Sequence, residues 1–137
     1  MRVFFDTNVL LDDYYQRNGA TASKEAGSCC ADSPHQGWIA WHTISNGYYL
    51  VRSHSKCSET AAKFVSDLLA WVEVAETGKH DALTALDFGM RDFEDALQLA
   101  AAVACGAEVI LTRNTTDFKA SPIPVMTPEE FLASLAR

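Results

Sequence analysis

Short apolar runs alternate along the chain with stretches of helical period. Val3-Phe4-Phe5 is a continuous apolar run closed by Asp6-Thr7-Asn8, which predicts a short buried strand. Val9, Leu10, Leu11, Tyr14 and Tyr15 then recur at mostly helical spacing, so strand, carboxylate and helix follow in immediate succession. The pattern weakens between Gly19 and Gly37, where a helix is expected over Thr21 to Cys30 and a turn at Asp32-Ser33-Pro34. Trp38-Ile39-Ala40 predicts a second buried strand, followed by a helix from about Ser45 to Arg52. Ala61, Phe64, Val65, Leu68 and Leu69 share one face of a helix over Ser58 to Leu69. Trp71-Val72-Glu73-Val74 is read as a strand on its β-branched content, and a short helix is expected near His80 to Phe88.

The clearest helix runs from Asp92 to Cys105. Phe93, Ala96, Leu97, Ala100, Ala101 and Ala104 recur at steps of three and four, and Gly106 supplies a left-handed stop. Glu108 to Thr112 predicts a strand, Arg113 to Phe118 a loop, and Val125-Met126 a brief strand after Pro122 and Pro124. Thr127-Pro128-Glu129-Glu130 opens a last helix with Thr at the cap, Pro at the first position and Glu at the third. Strands alternating with helices imply a single α/β domain over 1–137, built on a parallel sheet covered on both faces. Ligands of such sheets gather at the carboxyl ends of strands. Asp6 lies at one such end, and Asn114 and Asp117 lie just past another.

Composition narrows the class. With 48% hydrophobic residues in 137, the chain buries enough surface to fold without a disulfide or a structural metal. Neither a transmembrane span nor the apolar core of a signal peptide is present, so a cytoplasmic protein without membrane attachment is expected. The four cysteines and four histidines lack metal-ligand spacing, and Cys105 is expected as a buried thiol. A net charge of −7, from 18 acidic and 11 basic residues, argues against a protein that coats nucleic acid. Acids clustered around a metal ion are compatible with it.

Three segments carry candidate chemistry. Asp6 follows three large apolar residues at a mostly buried edge, where an unpaired charge is costly; it is also a natural cap for the next helix. In Asp92-Phe93-Glu94-Asp95, Asp92 is a natural N-cap and Asp95 its third residue. Asp95 shares a face with Ala96, Leu99 and Ala102 and is directed toward the body of the protein, whereas Glu94 is expected to face solvent. Thr112 to Phe118 is a polar loop at a strand end, with an Asx turn as its plainer reading. Carboxylates around one cleft suit Mg²⁺ or Mn²⁺, which prefer oxygen ligands and promote phosphodiester hydrolysis. No Gly-rich phosphate loop and no G-x-S-x-G elbow occurs.

Four motifs in order resemble a PIN-domain ribonuclease of the VapC-like toxin kind. They are Phe5-Asp6-Thr7-Asn8-Val9-Leu10-Leu11-Asp12, Asp92-Phe93-Glu94-Asp95-Ala96-Leu97-Gln98, Thr112-Arg113-Asn114-Thr115-Thr116-Asp117-Phe118 and Pro122 to Phe131. The resemblance implies a PIN-like (Rossmann-like) central parallel sheet, Mg²⁺ or Mn²⁺, endonucleolytic cleavage of RNA, a homodimer and a cognate antitoxin of a type II toxin-antitoxin system. It places metal ligands at Asp6, Asp95 and Asp117 and catalytic roles at Asp6, Asp95, Asp117, Asn46 and Asn114; Asp92 and Glu94 are the candidate compensating acids, with Asp92 preferred as a metal ligand. Thr7, Asn8, Thr112 and Arg113 are expected at the substrate or its bound water. Asn46 stands where the family usually carries a glutamate, and Asn114 where many members carry an acid. An amide offers oxygen but neither charge nor a base.

Two other readings remain. A catalytically weakened module on the same fold would bind RNA or a protein partner through the cleft. A haloacid-dehalogenase-like phosphatase would use Asp6 as nucleophile, yet it needs a second acid where Asn8 stands. Trp38, Trp41, Tyr48, Tyr49 and Trp71 are expected in the core or at a partner surface rather than against bases.

Overall fold

A computed structural model describes residues 1–32 and 34–136. Five strands, β1 (Arg2–Phe5), β2 (Gln36–Ile39), β3 (Val72–Val74), β4 (Val109–Leu111) and β5 (Val125–Met126), form one sheet in the order β3-β2-β1-β4-β5. All four pairings are parallel, with Phe4 opposite Trp38 on one side and Ile110 on the other. Among the described residues, six helices lie in the connections, α1 (Thr7–Tyr15), α2 (Ala20–Ala31), α3 (Trp41–Ser55), α4 (Ser58–Leu69), α5 (Lys79–Asp87) and α6 (Phe93–Ala104), and α7 (Pro128–Leu135) follows β5.

β1 is the centre of the sheet, which is why its apolar run is uninterrupted. Val3 and Phe5 point to one face and join Ile39, Val109 and Leu111 beneath α1, α2, α4 and α7, through Val9, Ala26, Leu68 and Phe131. Phe4 and Ile110 point to the other face and meet Leu99, Ala101 and Ala102 of α6. The alanines of α6 leave no bulk between helix axis and sheet, so this helix lies close against the strands that end at the cleft. Gly106 adopts φ 69°, the left-handed turn that releases the chain from α6 into β4. Thr127 and Glu130 cap α7 reciprocally, each side chain accepting the other's backbone N–H at 3.2 Å.

Most predicted elements stand within a few residues of their expected bounds. α3 is the exception, since it begins at Trp41, directly after β2, rather than at Ser45. Thr43 and Ile44 are β-branched and weaken the helical signal there, but Thr43 is buried against α1 and tertiary contact overrides propensity. The predicted loop after β4 closes into a 3-10 turn, Thr115–Phe118. Ser33, within the predicted turn, lies outside the described residues. Trp71 packs edge-on to Phe5 with ring centroids 5.3 Å apart, whereas Trp41 is 69% exposed.

The Trp71 ring also explains a glycine. A Cβ on Gly37 in β2 would stand 2.7 Å from Trp71 Cζ3, and the ring is held from behind by Phe5. Gly37→Ala is expected to destabilise the protein by about 1–3 kcal/mol through overpacking. Urea unfolding measures it, and an unchanged midpoint would mean that the ring yields freely.

Candidate metal centre

β1 sends the chain to β2 on one side, while β4 pairs on its other side, so the sheet's order reverses between β1 and β4. The carboxyl ends of these two strands flank the crevice where a parallel sheet opens. Asp6 is the first residue past β1, and its N–H donates to Leu111 O at 3.0 Å, extending the ladder into the crevice. Its side chain is 2% exposed. Thr112 Oγ1 donates to Asp6 Oδ2 at 2.9 Å, and Gln98 Nε2 donates to Asp6 Oδ1 at 2.8 Å. Desolvation pushes the Asp6 carboxyl above its ordinary value despite those two donors. Asp6 is also the extended N-cap residue of α1, but its side chain is turned to Thr112 and Gln98.

α6 aims its first turn at the same place. Asp92 Oδ1 accepts the Asp95 N–H at 3.1 Å, the predicted cap. Asp92, Glu94 and Asp95 bring one oxygen each to within 4.8 Å of one another. Burial, then the charges of Asp92, Asp6, Glu94 and Asp117, push the Asp95 carboxyl up to about 7. Four acids therefore act on Asp95. Among the described residues no ion pair involves Asp6, Asp92, Asp95 or Asp117.

Glu94 corrects the sequence reading, which turned it to solvent. It is half-buried, and its carboxylate accepts from Gln98 Nε2 at 2.9 and 3.2 Å and from His42 Nε2 of α3 at 2.7 Å. The sequence reading gave neither Gln98 nor His42 a place at the site. A glutamine amid the alanines of α6 was the available signal, because a fully buried amide is expected only where it has partners. Gln98 Oε1 is buried without a donor. Such an orphan costs about 1–3 kcal/mol.

The remaining predicted residues divide. Asn46, half-buried, lies one helical turn after His42 on α3 and so shares its face. Asn114 and Asp117 are exposed beyond β4, tied by the Asp117 N–H to Asn114 O at 3.0 Å. Thr7 is buried and shares a hydroxyl hydrogen bond of 3.0 Å with Thr43, while Asn8 is exposed. Thr112 is fully buried and also accepts the Asn114 N–H at 3.1 Å. Arg113 departs from its expected place at the substrate. Its guanidinium turns away from the acids to Asp12, Ser23, Gly19 and Glu129, joining α1, α2 and α7. A separate apolar cleft of about 500 Å³, lined by Val9, Leu10, Phe64 and Trp71, includes none of the five acids.

The centre consists of oxygen donors, with the one nearby imidazole occupied by Glu94. That donor set fits a hard divalent cation better than zinc. A model of the PIN domain matches residues 2–116. The chain belongs to the PIN domain family. No curated protein matches it in sequence. Among solved structures, VapBC2 from Rickettsia felis bound to a promoter DNA fragment superposes with a TM-score of 0.74 at 17% identity, covering 93% of this chain and 98% of that one. VapBC-1 from nontypeable Haemophilus influenzae gives 0.73 at 13% identity, covering 94% and 99%. A toxin-antitoxin complex from Klebsiella pneumoniae gives 0.68 at 24% identity, covering 92% and 97%. At these identities the likeness is one of fold.

The electrostatics make a pH prediction. Asp95 rises from 3.8 to about 7, so the folded, metal-free protein binds a proton that the unfolded chain has released. Its contribution favours folding at low pH and is lost as pH climbs toward 7. The Arg113 hydrogen bond lowers Glu129, and that contribution is lost only below the ordinary value of 4.5. Between about pH 5 and 7 the metal-free melting temperature should therefore fall with pH, and Asp95→Asn should flatten the slope. Parallel slopes for parent and variant in a melting series would rule this out.

Proposed function

We propose that the chain is a metal-dependent endoribonuclease of the VapC type, a single PIN unit hydrolysing RNA phosphodiester bonds in the acidic crevice. The observation that carries this reading is that Asp92, Glu94 and Asp95 bring carboxylate oxygens within 4.8 Å of one another, with buried Asp6 joined to Glu94 through the Gln98 amide. Mutual repulsion of that kind is relieved by a divalent cation, and a phosphate could not approach the carboxylates without one. Asp6, Asp95 and Asp117, with Asp92, would hold Mg²⁺ or Mn²⁺. Such an ion supplies an activated water and neutralises charge that develops on the phosphate.

The chain's own residues set the conditions. Thr112 and Gln98 orient Asp6, Asn46 and Asn114 offer neutral oxygens to bound water, and the exposed Asn8 reaches substrate at the rim. Thr7 holds α1 to α3 through Thr43. A homodimer and a cognate antitoxin are what the family resemblance implies, and a cytoplasmic location is part of the same reading. No described helix is long and apolar enough to cross a membrane.

A panel of single-stranded and structured RNAs, incubated with Mg²⁺ or Mn²⁺ and in parallel with chelator, tests the reading. Metal-dependent internal cleavage is the expected result. Tight RNA binding with no turnover at any metal concentration would select the weakened binding module instead, which the neutral Asn46 favours.

A further inference from the structure

Two donor groups, an imidazole and an amide, converge on one carboxylate beside the crevice. Glu94 Oε2 accepts from His42 Nε2 at 2.7 Å and from Gln98 Nε2 at 2.9 Å, and Glu94 Oε1 lies 3.2 Å from the same amide nitrogen. A glutamate on an exposed helix turn is normally satisfied by water, and immobilising its side chain costs entropy. Here donors from two different helices hold it. Gln98 Nε2 reaches Asp6 at 2.8 Å as well, so one amide couples the two acids. The amide cannot be reversed, since that would set its oxygen against both carboxylates.

The choice of a glutamine is informative. A lysine at this position would join Asp6 and Glu94 equally well but would cancel the charge that calls for a cation. The neutral amide links them and leaves both charges in place. Gln98 is fully buried, and its Oε1 has no donor. One turn along α3 from His42, on the same face, stands the uncharged Asn46.

Resting on the metal-site reading above, we propose that Glu94 supplies the carboxylate that position 46 lacks, and that Gln98 and His42 are positioning residues that hold it beside Asp6. The carboxylate is carried by α6 and gripped by a donor from α3.

Mn²⁺ titration of the metal-free full chain, followed by calorimetry, tests this without any turnover assay. Glu94→Gln, Gln98→Met and His42→Ala should each weaken Mn²⁺ binding by about 10–100-fold, the usual loss for groups that orient or complete a metal site. His42→Gln, which keeps a donor, should retain most of the affinity. Asn46→Glu placed in the Glu94→Gln chain should restore most of what that substitution loses, an outcome no purely structural role for Glu94 produces. Should Gln98→Met fail to fold, the partly exposed positions 94 and 46 still decide the question. If Asp6→Asn weakens Mn²⁺ binding while Glu94→Gln leaves it unchanged, this inference is overturned and the metal site stands. If neither substitution matters, the metal-site reading itself fails.

Discussion

Asp6→Asn is expected to lower metal-dependent RNA cleavage by about 10³-fold or more, because losing a charged ligand removes several kcal/mol of metal and transition-state stabilisation. The fold should survive. Asparagine is isosteric, and its Oδ1 can accept from Gln98 Nε2 as Asp6 Oδ1 does at 2.8 Å. Its Nδ2 would then face Thr112 Oγ1, a hydroxyl that can rotate and accept. The substitution also removes a buried charge whose carboxyl is raised by desolvation, so the metal-free variant should melt no lower than the parent. Cleavage time courses and melting curves on the same preparations separate the effects. A variant that cuts as fast as the parent would move the active centre elsewhere.

What made Asp6 legible in the sequence was the abrupt change from Val3-Phe4-Phe5 to a carboxylate, because a buried strand end is one of few places where that order recurs. Asp92 and Asp95 were legible for a similar reason, through the cap and dipole preferences of a strongly periodic helix. Local pattern could not reveal contacts made across the fold. The Gln98 to Asp6 hydrogen bond spans 92 residues, and the His42 to Glu94 bond spans 52. Nothing in the neighbourhood of either residue announces its partner. Glu94 was misassigned because helical phase gives the direction of a Cβ but not the reach of a long side chain. The strand order depended on pairing, and parallel pairing leaves only an apolar run as its trace.

Arg113 shows the same lesson at its most costly, and yields the largest stability effect expected here. By sequence it is a cation at a strand end near acids, a natural phosphate contact. In the fold its Nε donates to Asp12 Oδ2 at 3.1 Å, its Nη2 to Gly19 O at 2.7 Å and to Ser23 Oγ at 3.0 Å, and its Nη1 pairs with Glu129. Asp12 is 2% exposed and takes a further hydrogen bond from Ser23 Oγ at 2.6 Å, with Arg17 Nη1 more distant at 3.6 Å. Arg113→Met keeps the stem but leaves Asp12 buried with only the weaker cation, a change that typically costs about 3–5 kcal/mol. For a domain of this size that corresponds to a fall of roughly 10–15 °C in melting temperature. Adding Asp12→Asn should recover part of the loss, since the stranded charge goes with it. A phosphate contact would behave oppositely: Arg113→Met would leave melting unchanged and raise KM for RNA. A melting shift below about 3 °C would therefore return Arg113 to the substrate side. The expected result makes it the clasp that fixes β4 to α1, α2 and α7, and so holds Thr112, one residue away, against Asp6.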